Sequence, residues 1–541
     1  MRNSLLFLTL LALPLGSLMA QDKRPNIVLI LADDLGYSDL GSYGSEIPTP
    51  NLDRLAQEGI RFREFYNNSI CAPTRASLLT GQYQHRAGVG YFSFDLGLPA
   101  YQGFINQESL TLAEVLKESG YRTLTAGKWH VSKTGTSTPE QRGFEYVWPT
   151  SNRDANSGAP TFGTPRTDAA GYPVPADLQT NQITNNALTF IEETAGKGKP
   201  FFLYLAHTAP HWPLVALPQD IERFKGAYSQ GWEVLRQERL KRQLLLGIRS
   251  EQQTIAPAAA DIYEWDRLSF DEQQAWSRKM EVYAAMVYRL DQGVGELYQK
   301  LAEKGELENT VIFFLSDNGA PAEDLQNWHR GASKNSHTVG TTGSYESQSK
   351  NWSYLSNTPF RAFKDDMYEG GINTPFIAWY PKSIPSNRIK QGTGHIIDLA
   401  PTIYELAKAP YPTSFAGVQP HALPGKSLLP VLFSNTEQVA RSEPLFWERA
   451  GNRAVRQGSW KLVSTWPSRD WELYNLSLDP GETDNIAKEQ PAVVTQLTAA
   501  YYQWAEKNGV VDFALLEQVE PKSMQEFRRS KTQDVSNRKK L

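Results

Sequence analysis

Three well-separated runs of strand length, at 27–31, 201–205 and 311–315, are apolar at every position rather than at alternate ones. A strand can hide all of its side chains only if both faces of its sheet are covered, so these runs demand a sheet enclosed between helices. Helical stretches lie between them. Thr49-Pro50 opens a predicted helix over 51–58 that Gly59 stops, 112–118 reads as a helix closed by Gly120, and 181–193 as another. Met280, Tyr283, Val287, Leu290, Val294, Leu297 and Leu301 recur three or four apart, marking one face of a long helix that ends at Gly305. Further strand-like runs fall at 121–125 and 375–380, and a further helix at 396–407. Strands alternating with helices predict an α/β fold with a large, mostly parallel sheet flanked by helices.

From Ser442 onwards the pattern changes to short alternating segments at 445–447, 453–456, 460–464 and 471–474, with a turn at Gln457-Gly458. These predict a small antiparallel sheet. A helix over about 492–506 follows the turn Asp479-Pro480-Gly481-Glu482. The expected organisation is a main α/β domain over 21–440 and a C-terminal subdomain over 441–541. Inside the main domain, 216–276 is rich in charge and reads as a helical insertion, whereas 320–357, full of Ser, Asn, Thr and Gly, reads as a long loop.

Residues 1–20 have the form of a signal peptide: Arg2, an apolar run over 5–15, then small residues up to Ala20 ahead of Gln21-Asp22-Lys23. The run is well short of the roughly 20 residues a membrane span needs, and no later stretch reaches that length. A periplasmic or secreted protein without a transmembrane span is expected. The net charge of −4 provides no basic stripe for nucleic acid. Aromatic residues are abundant, with 14 Trp, 24 Tyr and 23 Phe, which suits sheets, clefts and contacts to aryl groups or sugars. Cys71 is the only cysteine, so the exported chain has no internal disulfide.

Polar clusters sit directly after the strands: Asp33-Asp34, Gly127-Lys128-Trp129-His130, His207 to His211, and Asp317-Asn318. In an open parallel sheet the strand C-termini share one edge, where ligands bind. Asp33, Asp34, Asp317 and Asn318 supply hard oxygen ligands with neither His nor Cys among them, a set suited to calcium or magnesium rather than zinc. Either pair alone would equally describe a solvated turn.

Cys71-Ala72-Pro73-Thr74-Arg75, followed by Ala76-Ser77-Leu78-Leu79-Thr80-Gly81, is the most specific stretch. It resembles the Cys-x-Pro-x-Arg signature of type I, formylglycine-dependent sulfatases. The resemblance runs from about Arg24 to the C-terminal sheet. It includes Gly127-Lys128-Trp129-His130, Ala209-Pro210-His211-Trp212-Pro213, Ser316-Asp317-Asn318-Gly319, and Phe363-Lys364 ahead of Glu369-Gly370-Gly371. In order and spacing it resembles most the bacterial arylsulfatase branch, even at 235–240 and 280–286. A helix starting within 76–79 would turn its free N–H groups towards an anion. A thiol of lowered pKa at that helix end is the other reading of Cys71.

The resemblance implies an alkaline-phosphatase-like fold and an arylsulfatase-type sulfuric ester hydrolase. It makes Asp33, Asp34, Asp317 and Asn318 the ligands of one Ca2+, and Cys71 a formylglycine produced by a maturation enzyme. The aldehyde is hydrated, and one hydroxyl is the nucleophile. Arg75, Lys128 and Lys364 would surround the sulfate and the hydrated aldehyde. His211 would protonate or hold the leaving oxygen, and His130 would take a proton from the remaining hydroxyl so that sulfate is expelled. The chemistry asks for such residues, since attack on sulfur spreads negative charge that fixed cations in a dry pocket stabilise. His85 and His207 are expected as pocket walls, and His329, His337, His395 and His421 as structural. The competing readings are a phosphate or phosphonate ester hydrolase of the same superfamily, a sulfatase specific for a sulfated polysaccharide, and a non-catalytic binding protein. Loss of the nucleophile or of metal ligands would mark the last, and neither is lost.

Overall fold

The computed structural model describes residues 24–133, 135–148, 179–323, 339–341 and 346–522, with 166–167, 173–174 and 525 besides. The expected signal peptide lies outside the described residues, as do His329 and His337.

The main sheet is built from β1 (Asn26–Asp33), β2 (Ile60–Tyr66), β3 (Arg122–Gly127) and β4 (Tyr146–Trp148). A two-stranded ladder of β5 (Arg166–Thr167) and β6 (Pro173–Val174) stands apart, and β7 (Phe201–Pro210), β8 (Thr310–Ser316), β9 (Phe376–Trp379) and β10 (Arg388–His395) complete the sheet. All eight residues of β1 are buried. Ile27, Leu29 and Leu31 enter one core and Val28, Ile30 and Ala32 the other, which is the two-sided burial its composition demands. Strands β7 and β8 flank β1 in parallel, with Ile27 opposite both Phe202 and Val311.

The order of the eight strands is β10-β2-β9-β8-β1-β7-β3-β4. Every pairing is parallel except those of β9, which runs against both β2 and β8. This reversal has a positional consequence. Phe376, at the start of β9, lies opposite Leu315 near the end of β8, so the chain entering β9 comes from the edge where the parallel strands finish.

One core is closed by α1 (Pro50–Glu58) and by the helices Gln179–Thr194 and Phe270–Glu303; the other by α2 (Cys71–Thr80), α3 (Leu112–Glu118) and Leu399–Leu406. The long helix starts ten residues ahead of Met280 because Ser269 and Glu272 form a capping box. The stretch 216–276 does contain helices, Pro218–Glu222 and Gly231–Leu245. Its fully buried Arg239 lies 2.7 Å from both Asp39 and Glu46, which fastens it to the connection after β1. The expected loop over 320–357 is corrected in part. Residues Ser349–Ser356 form a helix, anchored by the buried Trp352 against Tyr228, Trp232 and Trp265.

At the C-terminus β11 (Leu445–Arg449), β12 (Asn452–Gln457), β13 (Trp460–Ser464) and β14 (Trp471–Asn475) form an antiparallel sheet, followed by the helix Pro491–Asn508. Val455, Leu462, Leu473 and Leu497 share one hydrophobic core with Ile27 and Leu29 of the main sheet. Among the described residues no helix is long and apolar enough to cross a membrane.

Candidate active site

The strands β8, β1, β7 and β3 are neighbours, and each ends at or one residue before a polar residue singled out above. Asp33 is the last residue of β1 and lies opposite Pro210 of β7, so Asp317, His211 and Lys128, each the first residue beyond its strand, emerge along one edge. Strand β7 is longer than its apolar run and takes in His207, so only His211 stands beyond it. Asp34 and His130 both take left-handed backbone with φ of 64°. For a non-glycine residue that costs about 1–2 kcal/mol, a strain typical of functional sites. At Asp34 it lets the backbone N–H donate to Asp317 Oδ1 at 3.1 Å.

Helix α2 follows β2 and begins at Cys71 itself, not within 76–79. Pro73 falls in its first turn, where a missing N–H costs nothing, and Thr74 N–H makes the bond to Ile70 O at 3.1 Å. The N–H groups of Cys71 and Ala72 therefore lie at the positive end of the helix. Asn67 Nδ2 donates to Ser316 O at 2.7 Å and ties this turn to the end of β8. Burial pushes the Cys71 thiol up to about 11, although Lys128 and Lys364 oppose it. Burial thus opposes the reading of Cys71 as a thiol of lowered pKa.

Around Cys71 the charges interlock. Arg75, fully buried, donates to Asp317 Oδ2 at 2.8 Å and to Lys128 O at 2.9 Å, and lies 3.3 Å from Asp33. Lys128 Nζ donates to Asp33 Oδ2 at 2.6 Å. Lys364 Nζ donates to Asp34 Oδ2 at 2.9 Å and lies 3.4 Å from Glu323. Burial opposes the charge on Asp33, but Lys128, His211, Arg75 and Lys364 outweigh it and hold its pKa below the usual range. Asp34 goes the other way. Burial, with Asp33, Glu323 and Asp317 added, pushes it up to about 8 against the pull of Lys364. Burial and the neighbouring Asp33 likewise push Asp317 up to about 6.

Two raised carboxylates beside a third are what a divalent cation relieves. Asp33 Oδ1 and Asn318 Oδ1 are buried without a hydrogen-bond partner, so oxygen donors are present for such an ion. Ligand atoms of Asp33, Asp34 and His211 lie within 4.8 Å of one another. The carboxylate of Asp317 is engaged by Arg75 and by Asp34 N–H, and Asn318 Nδ2 donates to Asp34 Oδ1 at 2.6 Å.

The sequence profile of the Sulfatase family matches residues 25–409. The chain belongs to the sulfatase family. A second profile, N-sulphoglucosamine sulphohydrolase, C-terminal, matches residues 361–507 of the sulfatase. The sulfatase is 35% identical over 530 residues to an uncharacterized sulfatase of Schizosaccharomyces pombe, covering 91% of this chain and 95% of that protein. It is 34% identical over 437 residues to the arylsulfatase of Klebsiella aerogenes, covering 77% of this chain and 92% of that one. Among solved structures it is similar to Ps i-CgsB in complex with k-i-k-neocarrahexaose, at 26% identity and a TM-score of 0.65, covering 93% and 97% of the two chains. The protein is a hydrolase of sulfate esters.

The sulfatase's histidines divide by position. His211 Nδ1 faces Trp212 O at 2.6 Å, and since a carbonyl only accepts, Nδ1 carries the proton and Nε2 faces Lys364 at 3.5 Å and Asp34 at 3.4 Å. Burial, with Lys364 and Lys128, holds His211 neutral, and burial with Lys128 and Arg75 does the same for His130. His130 Nε2 lies 3.4 Å from Ser93 Oγ, its Nδ1 is buried without a partner, and Phe92 meets its ring edge-on at 5.1 Å. His85 is no wall of this cluster, because it pairs with Glu448 at 2.7 Å in the seam with the C-terminal sheet. His207 is buried with neither ring nitrogen bonded, and burial lowers it to about 4. Sequence reasoning missed Glu323, Tyr204 and Ser93. Glu323 stands in a polar stretch that resembles a loop, and Tyr204 is hidden in an apolar strand, although its hydroxyl accepts from Arg75 at 3.4 Å.

Proposed function

We propose that the sulfatase acts through a formylglycine formed from Cys71, with a calcium ion held by Asp33, Asp34, Asp317 and Asn318. The observation that carries this reading is the burial of Cys71 among Arg75, Lys128 and Lys364, at the end of α2 that favours an anion. The hydrated aldehyde supplies a nucleophilic hydroxyl and a second one that lets sulfate leave by elimination; the calcium ion supplies positive charge for the sulfate oxygens. Arg75, Lys128 and Lys364 hold the sulfate and stabilise the charge that builds on it. His130, neutral and with Nδ1 unbonded, is suited to accept the proton that drives sulfate release. His211 starts neutral, and an anionic ester beside it favours its protonated form, which loads the proton the leaving oxygen takes. Its place in the acidic group would also suit a softer metal, but Lys364 Nζ already lies 3.5 Å from Nε2, a neighbour that favours the proton role.

Charge supports a monoanionic substrate. Asp33, Asp34, Asp317 and Glu323 face Arg75, Lys128 and Lys364, leaving one negative charge in excess when all are ionised. A divalent cation turns that into one positive charge, which a sulfate monoester neutralises, whereas a phosphate monoester carries about −1.5 to −2. Phe92, edge-on to His130, and Phe94, its ring centroid 5.5 Å from that of Phe92, are partly buried and offer faces for an aryl or sugar leaving group. The arylsulfatase of Klebsiella aerogenes and the oligosaccharide complex of Ps i-CgsB support both classes. The reading also includes export to the periplasm or medium by residues 1–20, maturation by a formylglycine-generating enzyme, and division into 21–440 and 441–541. Rates on matched aryl sulfate and aryl phosphate monoesters test it, with at least about a hundredfold preference in kcat/KM for the sulfate expected, about 2.7 kcal/mol. Equal rates would remove the charge argument.

A further inference from the structure

Lys364 reaches the site from the chain that enters β9, and nothing in its own segment, 361–369, is a helix or strand until Glu369. Its own N–H donates to Ala320 O at 3.1 Å and that of Asp365 to Ser69 O at 2.8 Å, and its other anchors come from the C-terminal subdomain. We infer that Lys461 on β13, with Glu482, is a positioning residue that clamps the segment carrying Lys364; this rests on the role at the sulfate proposed above for Lys364. Lys461 has no exposure and lies 2.8 Å from Glu369 Oε1 and 2.9 Å from Glu482 Oε1. Glu482 holds the segment at both ends. Its Oε2 accepts from Glu369 N–H at 2.7 Å, and its backbone carbonyl accepts from Arg361 Nη1 at 2.7 Å. Lys364 sits between those two anchors.

The clamp is also joined to the rest of the site. Glu369 Oε2 accepts from Tyr66 Oη at 2.7 Å, at the end of β2, and from Asn373 Nδ2 at 3.0 Å. A Cβ on Gly370 would stand 2.2 Å from Ala362 O, and one on Gly371 2.1 Å from Asp366 O, so the segment folds back directly against the glycine pair. Gly319, next to Asn318, donates its N–H to Gly371 O at 3.1 Å. Movement at Glu369 therefore reaches both Lys364 and the Asp317-Asn318 turn. Lys461 bridges two buried carboxylates and offsets their mutual repulsion, so its loss would loosen the clamp and shift the segment. A misplacement of about 1 Å in a catalytic group costs up to about a hundredfold in rate.

The experiment is a double-mutant cycle on the matured full-length enzyme, with kcat/KM on 4-nitrophenyl sulfate and the melting temperature as readouts. K461M is combined with K364A, and E482Q, which keeps the shape of the clamp, is run through the same cycle should K461M fail to fold. K461M is expected to lower kcat/KM about 10- to 100-fold with Lys364 present and less than about 2-fold in the K364A background. E482Q should show the same non-additivity with a smaller loss. Equal fold losses in both backgrounds, or a lower melting temperature with kcat/KM intact, would overturn the inference alone. A K364A enzyme as active as the parent would instead overturn the role given to Lys364, and the inference with it.

Discussion

Metal binding at the strand edge should release protons, by an amount the buried carboxylates set. Without a metal, burial and neighbouring acids push Asp34 up to about 8 and Asp317 up to about 6, while Asp33 stays ionised beside Lys128. At pH 7 the two raised groups together hold about one proton, at pH 6 about one and a half, and at pH 9 about a tenth. Calcium takes only the ionised forms, so its affinity should rise about tenfold per pH unit near pH 7 and level off above about pH 9. The same shifts fix the stability of the metal-free protein. A carboxyl group whose folded pKa lies above its unfolded value of 3.8 costs nothing below that value and costs progressively more until the pH passes the folded one. For Asp317 this amounts to on the order of 3 kcal/mol, lost between about pH 4 and pH 6. Isothermal calorimetry of calcium binding in buffers with different ionisation heats measures the released protons directly, and denaturant titrations of metal-free protein at pH 5 and 7.5 measure the stability. Calcium bound at pH 7 without proton release, or with the same affinity from pH 6 to pH 9, would refute the assignment of these carboxylates to the metal.

The peptide spanning Cys71 to Arg75 from matured protein should carry an aldehyde in place of the thiol, and Cys71→Ala should reduce turnover to background; an unmodified thiol in fully active enzyme would sink the mechanism. His130→Ala should give a burst of phenol followed by a stall, whatever the leaving group, because its step comes after that group has departed. His211→Ala should slow the first step by about 10²- to 10⁴-fold on an alkyl sulfate and far less on 4-nitrophenyl sulfate, which needs little protonation. Pre-steady-state kinetics separate the two, and a burst in His211→Ala with none in His130→Ala would exchange their roles.

How much of this was legible depends on whether the sequence carried its own periodicity. The strands β1, β7 and β8 were readable from their unbroken apolar runs, and the polar residues after β1 and β8 marked the functional edge, whereas β7 runs on past His207 before reaching it. Helix boundaries moved wherever side-chain contacts decided them. Ser269 and Glu272 extended the long helix, and Pro73 was tolerated in the first turn of α2, which starts five residues early. The helix Ser349–Ser356 was not legible, since serine and asparagine disfavour helix; burial of Trp352 and Leu355 overrides that preference. Nor was the reversed sense of β9, because four apolar residues look the same in either direction. That reversal delivers Lys364 to the site, so a motif readable in one dimension owed its position to a pairing that was not.

The ion pairs at the strand edge predict that, if the proposed roles hold, cation and substrate would bind together rather than independently. Lys128 lies 2.6 Å from Asp33 and Lys364 lies 2.9 Å from Asp34, so two cations assigned to the sulfate occupy carboxylates assigned to the metal. A divalent ion held there would compete for those oxygens and weaken both pairs. The ammonium groups, Lys364 buried and Lys128 partly so, would then find their partners in the sulfate oxygens. A sulfate drawing the lysines away equally vacates the carboxylates for the metal, and linkage requires the two effects to be equal in free energy. Arg75 would be the fixed point of such an exchange. Held between Asp317 at 2.8 Å and the Lys128 carbonyl at 2.9 Å, it ties the end of β8 to the end of β3, a link that would persist if the lysines changed partners.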